Sequence, residues 1–168
     1  MRSLPARHHA RLLAAVTVGV CIPDQLTKAW VRAHLDVGER RPLVAGAVEL
    51  LHTENRGMAW GLLDGHPLRL PVVTVVSLLT LVVVLGWFVR LRPDERALAW
   101  SFGLVLAGAA GNFIDRLLYR RVTDFVELLG GGIFGVFNVA DVAISCGLLG
   151  FAALAVRGRA IPPGLEAP

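Results

Sequence analysis

The sequence predicts an all-α membrane protein with four transmembrane helices and a small extramembrane sheet. Of the 168 residues, 55% are hydrophobic and only 18% are charged, whereas soluble domains are roughly 45–50% apolar and about 25% charged. The mean hydropathy is +0.61. Four long apolar segments account for this excess, and the chain length allows a single integral membrane domain over residues 1–168.

Each apolar segment is long enough to cross a hydrocarbon core of about 30 Å at about 1.5 Å per residue. The clearest is a run of twenty uncharged residues at positions 70–89. The first segment is interrupted by Pro23, Asp24 and Lys28. The predicted spans are residues 12–32, 69–90, 97–117 and 136–157, with an extracytoplasmic loop at 36–67 and an interfacial loop at 118–135.

The first segment could instead be a cleaved signal peptide, because arginines precede its apolar run. However, Val20 stands directly before Cys21 and is too bulky for a lipoprotein cleavage site, and no A-x-A-like site follows. The segment is therefore predicted to stay in the protein as a transmembrane helix.

The distribution of arginine predicts that both termini are cytoplasmic. Eight arginines lie at the N-terminus, in the second connection and at the C-terminus, namely Arg2, Arg7, Arg11, Arg90, Arg92, Arg96, Arg157 and Arg159. Six lie in the first and third loops, namely Arg40, Arg41, Arg56, Arg116, Arg120 and Arg121. The first and third loops are then extracytoplasmic.

Composition also bears on partners and cofactors. The net charge of +4 does not indicate nucleic acid, because the basic residues lie between apolar runs and form no patch in the sequence. Membrane lipid is the expected surrounding. Cys21 and Cys146 lie within apolar segments and indicate neither a disulfide framework nor a zinc site. The five histidines show no ligand spacing, so neither a metal nor a cofactor is expected.

The outward loops contain signs of structure. Residues 43–44 and 48–53 show β-like alternation, which favours a small extramembrane sheet. Residues 128–137 (LLGGGIFGVF) are rich in glycine, a composition typical of a mobile stretch or a flap beside the membrane surface.

Several ionisable residues fall within the predicted spans, where each costs about 3 kcal/mol or more at the bilayer centre. Such residues generally face the bundle interior and carry function. Asp24 and Lys28 are four residues apart, so they share one helix face and can form an ion pair. In the third span Asn112, Asp115 and Arg116 form a polar stripe, in which Arg116 is expected to hold Asp115 ionised.

Asp124 and Asp141 are predicted to lie at the same depth, the outer membrane–water boundary. Two carboxyl groups brought together there share a proton, because both cannot ionise cheaply. One then acts as base and the other as acid, the arrangement needed to activate water against an amide and protonate the leaving nitrogen. From spacing alone an alternative stays open, in which each acid caps a helix or pairs with Arg116, Arg120 or Arg121.

Two other classes of protein also suit four spans with buried acids. A proton-coupled transporter or channel subunit would use Asp24, Asp115 and Asp141 as a relay. A structural membrane subunit would use its acids only to pair with Lys28 and Arg116. The transporter predicts acids spread along the membrane depth, whereas these acids gather toward one side.

Five short motifs resemble those of the bacterial lipoprotein signal peptidases, the signal peptidase II family. They follow the family's order over nearly the whole chain, at residues 24–28 (DQLTK), 55–60 (NRGMAW), 111–116 (GNFIDR), 122–125 (VTDF) and 137–141 (FNVAD). The resemblance implies four transmembrane helices, an extracytoplasmic β-cradle and a short interfacial helix. It also implies a location in the bacterial cytoplasmic (inner) membrane, with the active site at the extracytoplasmic face.

By this resemblance, Asp124 and Asp141 are the catalytic pair of an intramembrane aspartyl endopeptidase. Such an enzyme removes signal peptides from diacylglyceryl-modified prolipoproteins by cleaving before the lipidated cysteine, and globomycin-type inhibitors are expected to bind it. The resemblance further implies residues that shape the site or hold substrate, namely Asp24, Lys28, Asn55, Gly57, Asn112, Asp115, Arg116, Asn138 and Ala140.

The sequence departs from the family pattern in two places. Small residues at 107–111 predict close helix packing, and Ala107 among them stands where the family usually has glycine. The segment between Asp124 and Asp141 is short and Gly-rich, where relatives often carry a longer aromatic stretch. The shape of the flap, including whether residues 130–135 gate the site, is therefore not implied by the resemblance.

Overall fold

The computed structural model describes residues 6–56, 66–131 and 135–158. Its four long helices are α1 (Ala6–His34), α2 (Arg69–Phe88), α3 (Arg96–Tyr119) and α4 (Val139–Val156). Its strands are β1 (Arg40–Val44), β2 (Val48–Asn55), β3 (Val122–Leu128) and β4 (Val136–Phe137). The predicted combination of four long apolar helices with a small antiparallel sheet is confirmed.

The helix bounds differ from the predicted spans where local chemistry intervenes. Pro23 lies inside α1 without ending it. The fourth helix begins at Val139 and not at residue 136, because Asn138 is extended (φ −130°, ψ −177°) and its side chain caps the helix. In the part of the chain described, the only helical element outside α1–α4 is the 3₁₀ turn Leu129–Gly131, so the implied interfacial helix is not observed there.

The sheet has the order β1-β2-β3-β4, and all neighbours are antiparallel. Two of its strands come from the segment predicted as the interfacial loop 118–135 and from the start of the predicted fourth span. The pairing of Val126 with Phe137 brings the chain after α3 against the chain before α4. As a result, a residue on β3 and a residue in the first turn of α4 become neighbours.

The third helix is the centre of the bundle, since α1, α2 and α4 all contact it. Thirteen of its 24 residues are buried. In contrast, α2 exposes a row of apolar side chains that includes Val75, Leu79 and Val82. An apolar face left exposed on a helix of this length is the face that meets lipid.

Glycines allow α3 and α4 to pack backbone against backbone, as the small residues predict. A Cβ on Gly108 would overlap the carbonyl oxygen of Ala140. A Cβ on Gly147 would lie 2.6 Å from the carbonyl oxygen of Ser101. Real Cβ atoms are not found this close to a backbone oxygen, so both helices depend on having no side chain at these positions.

Alanine in place of Gly108 is therefore expected to destabilise the bundle. Forcing an extra methyl into a packed interior costs about 1–3 kcal/mol, which thermal unfolding in detergent can measure. Gly19→Ala in α1 is the matched control, because nothing lies within 4 Å of a Cβ there. Equal melting temperatures for Gly108→Ala and Gly19→Ala would contradict the close packing of α3 on α4.

Candidate active site

Asn138 joins the two acids that the sequence predicts as a pair. Its Nδ2 donates to Oδ1 of Asp124 at 2.7 Å, and its backbone N–H donates to Oδ2 of Asp141 at 3.1 Å. The Asn138 side chain is completely buried. Both carboxyl groups are thus anchored to a single residue, which lies between β4 and α4.

Asp141 lies in the first turn of α4 and is partly exposed. It completes a capping box, because its own backbone N–H donates to Oδ1 of Asn138 at 3.0 Å. Its other carboxylate oxygen accepts from Nδ2 of Asn112 at 2.8 Å. Asp141 therefore does take part in a helix cap, as one of the alternatives required. The same cap holds its carboxylate near Asp124, because Asn138 binds both acids.

Asp124 lies on β3 and is almost completely buried, with 3% of its surface exposed. Its Oδ2 accepts from Nδ2 of Asn55 at 3.0 Å. Burial, together with the negative charge of Asp141, raises the pKa of Asp124 to about 7, although the hydrogen bonds from Asn55 and Asn138 oppose the shift. This carboxyl group can therefore hold a proton near neutral pH.

Neither acid is neutralised by an arginine, as the other alternative required. Within residues 6–56, 66–131 and 135–158, no cationic nitrogen lies within 4.0 Å of the carboxylate oxygens of Asp124 or Asp141. Arg116 acts on both acids at longer range through its charge. Its guanidinium donates to the backbone carbonyl of Asn112 at 3.4 Å.

A buried cation, Lys28, is connected to the acid pair through Asn112. The Nζ of Lys28 lies 2.8 Å from Oδ2 of Asp24 and 3.3 Å from Oδ2 of Asp115, and all three side chains are fully buried. The same Nζ donates to Oδ1 of Asn112 at 2.9 Å. Because Asn112 also donates to Asp141, the charged cluster fixes the amide that orients the candidate catalytic acid.

Asp24 also ties α1 to the start of α4. Its Oδ1 accepts from the backbone N–H of Ala140 at 2.9 Å. This approach requires glycine on the helix between them, because a Cβ on Gly111 would lie 2.8 Å from Oδ2 of Asp24. Gln25 adds donors to Asp24 and Asp115, at 3.1 and 3.2 Å. The carboxylate that binds the first turn of α4 is thus itself fixed by neighbouring side chains.

The expected partner of Asp115 was wrong. Asp115 pairs with Lys28 and, at 3.8 Å, with Arg32, and not with Arg116. Consecutive helix residues project in different directions, whereas Lys28 reaches Asp115 from a neighbouring helix. Asp115 also accepts from the backbone N–H of Thr123 at 3.1 Å, which fixes the strand that carries Asp124.

The structure brings together most of the residues implied by the resemblance and adds two. Gly57 lies outside the described residues. Arg32 and Thr123 were missed, and they bond each other at 3.0 Å. A signal for Arg32 existed in the sequence, since it follows Lys28 by four residues on the face of Asp24. Among the described residues there is no group of three or more His, Cys, Asp or Glu side chains placed to hold a metal.

The fold and the site define a class, the polytopic membrane enzymes. Two solved structures described as bacterial membrane enzymes are similar to this chain. One has a TM-score of 0.77 and 25% identity and covers 94% of both chains. The other has a TM-score of 0.76 and 26% identity, and covers 87% of this chain and 93% of its own.

Sequence comparison gives the family. The family model for signal peptidase II matches residues 16–157. The lipoprotein signal peptidase of Geobacillus kaustophilus is 36% identical over 135 residues, covering 80% of this chain and 86% of that protein. That of Geobacillus thermodenitrificans is 37% identical over 139 residues, covering 82% and 83%. This chain belongs to the signal peptidase II family, which decides against the transporter and the structural subunit.

Proposed function

We propose that this protein is an intramembrane aspartic endopeptidase that removes signal peptides from diacylglyceryl-modified prolipoproteins. Cleavage falls directly before the lipidated cysteine. Family membership supports the substrate class. The observation that carries the aspartic mechanism is the single buried asparagine, Asn138, that holds both Asp124 and Asp141.

The two acids differ in environment, which supports different roles. The more accessible Asp141 takes a proton from water, and the resulting hydroxide attacks the carbonyl carbon of the scissile amide. The buried Asp124, whose pKa is raised to about 7, gives its proton to the leaving nitrogen as the C–N bond breaks. The positive charge of Arg116 acts on both acids and balances the negative charge that develops between them.

The surroundings of the site suit a lipid-anchored substrate. The acids lie where the helix ends meet the sheet, so the scissile amide is at the membrane surface while the acyl chains lie along apolar helix faces. We place both termini in the cytoplasm and the site at the extracytoplasmic face of the bacterial inner membrane. Globomycin-type inhibitors are expected to compete with substrate for this site.

The substrate and the cleavage position are tested with purified full-length protein in detergent. A prolipoprotein precursor is supplied with and without diacylglyceryl on its cysteine, and the products are identified by mass spectrometry. Only the lipidated precursor is expected to be cut, with the lipidated cysteine as the new N-terminal residue. Equal cleavage of the unlipidated precursor, or a cut at another bond, would refute the proposal.

Peptidase activity is expected to depend on pH in a bell shape. Above about pH 7 Asp124 loses the proton it must donate, because its pKa is raised to about 7. In acid both carboxyl groups are protonated and no base remains. The profile of kcat/KM against pH is measured beside thermal unfolding at each pH. A flat profile from about pH 5 to pH 9 would contradict the shared-proton mechanism.

The same shift affects stability in a defined direction. Between the ordinary aspartate pKa, 3.8, and about 7, Asp124 is protonated when folded and ionised when unfolded. The unfolded chain then binds fewer protons, so this acid makes stability fall as pH rises through that window. Above about pH 7 it is ionised in both states, and its contribution no longer changes.

A further inference from the structure

An open cavity of about 450 Å³ lies where the end of α3 meets the start of α2. The side chains that line it include Arg56, His66, Leu70, Tyr119, Arg120 and Arg121. Tyr119 lies against the network around Asp124 and Asp141, since the Arg32 guanidinium is 4.2 Å from the centre of its ring. No acid is among the described lining residues. We call this the arginine cavity.

The positive charge of the arginine cavity is only partly balanced. Glu54 lies 3.3 Å from Arg56 and 2.9 Å from Arg121, so one carboxylate holds two guanidinium groups side by side. In the described part of the chain, Arg120 has no ion-pair partner. Among the described residues, three guanidinium groups face one carboxylate, and the side chains of Arg56 and Arg121 are 52% and 36% exposed.

The backbone at Arg120 gives an independent indication. This residue ends α3 in the left-handed conformation, with φ 57° and ψ 23°. Glycine is the usual residue at such a helix end, because a side chain strains the backbone there. Non-glycine residues held in this conformation cluster at functional sites.

The depth and the neighbours of the cavity indicate its occupant. It lies at the ends of two membrane helices, and the leucines adjacent in the chain to its lining residues, Leu68, Leu117 and Leu118, are 58%, 60% and 66% exposed. Guanidinium groups at this depth match phosphate oxygens, while exposed leucines match acyl chains. We propose that the arginine cavity binds the phosphodiester headgroup of an anionic membrane phospholipid.

A bound phospholipid would also explain why several arginines occur in loops that are predicted to be extracytoplasmic. An excess of lysine and arginine in the cytoplasmic loops sets the orientation of a membrane protein, so arginines in extracytoplasmic loops oppose it. Arg56, Arg120 and Arg121 nevertheless all lie in loops that are predicted to be extracytoplasmic. A bound phosphodiester would give these charges a local partner. The proposal does not rest on the peptidase function, because the three arginines that carry it are not hydrogen-bonded to Asp124 or Asp141.

The test is a lipid titration of the full-length protein in detergent, followed by native mass spectrometry. Phosphatidylglycerol and phosphatidylcholine are supplied at equal concentration. The wild type is expected to prefer phosphatidylglycerol by roughly tenfold, and Arg120→Gly to lose most of that preference. Because glycine suits the backbone at this position, Arg120→Gly is expected to melt no lower than the wild type. Arg56→Gln is expected to weaken the preference as well.

Arg90→Gln is the matched control, because Arg90 is exposed beyond the opposite end of α2 and its guanidinium donates to the carbonyl of Gly86. It is expected to bind lipid as the wild type does. The proposal is overturned if Arg120→Gly keeps the full preference for phosphatidylglycerol. It is also overturned if millimolar inorganic phosphate, or an acidic peptide at the lipid's concentration, displaces phosphatidylglycerol from the wild type.

Discussion

Asparagine in place of Asp124, or in place of Asp141, is expected to abolish cleavage of lipidated precursor while leaving a folded membrane protein. Each change removes one of two proton-transfer groups, and such groups contribute roughly 10²–10⁴-fold to rate. Because the pair works as a unit, the double variant is expected to lose little more than either single one. Precursor accumulation in cells and initial rates in detergent measure the effect.

The matched control for the acid pair is Asp94→Asn. Asp94 is a highly exposed aspartate whose side chain pairs only loosely with Arg92, at 3.8 Å, and this change is expected to leave activity intact. The active-site variants are expected to fold because asparagine keeps the size and shape of aspartate, although one hydrogen bond is lost where the new NH2 group faces a donor. Cleavage at the wild-type rate by either Asp124→Asn or Asp141→Asn would remove that residue from the catalytic pair.

Methionine in place of Lys28 is expected to have the largest effect on stability. The change leaves the buried carboxylates of Asp24 and Asp115 without the cation between them. Removing one partner of a buried ionic group costs about 3–5 kcal/mol, which thermal unfolding in detergent measures. The control is Arg92→Gln, because the Arg92 side chain is 68% exposed and exposed pairs contribute only about 0–1 kcal/mol. If Lys28→Met melts at the same temperature as the control, the buried ion pairs of Lys28 do not stabilise the protein.

Asp115→Asn separates scaffolding from chemistry in the same cluster. Asp115 contacts Lys28 and Arg32 and accepts from the backbone of the strand that carries Asp124. The variant is expected to lose yield or thermal stability, with activity falling in step. A protein of normal thermal stability that has no activity would instead place Asp115 among the catalytic groups.

The sequence pattern was sufficient to predict interactions between residues that are close together in the chain. The apolar runs predicted four helices, and helix periodicity predicted that Asp24 and Lys28 pair four residues apart. The same reasoning failed for Asp115, whose nearer cation in sequence, Arg116, is not its partner. A helix fixes which residues share its own face, but it does not fix which face of another helix lies opposite.

The sheet shows the same division. Alternation in residues 43–53 predicted strands before the second span, yet β3 and β4 come from a segment read as a loop and from the start of a span. β3 pairs with β2, whose Asn55 lies opposite Val122 although the two residues are more than 60 positions apart in the chain. β4 in turn pairs with β3. Strand formation of this kind is decided by neighbours and not by the segment alone.

The sequence by itself determined that this is a membrane protein, that it has four membrane helices, and which acidic residues lie among its apolar segments. These follow from transfer free energies and helix periodicity, which are properties of short segments. Only the tertiary structure decided that Asn138 holds Asp124 and Asp141 together, that Lys28 lies between Asp24 and Asp115, and that Arg56, Arg120 and Arg121 line one cavity. These contacts join distant segments, which come together because glycines let α3 approach α4 and α1, and because β3 pairs with both β2 and β4.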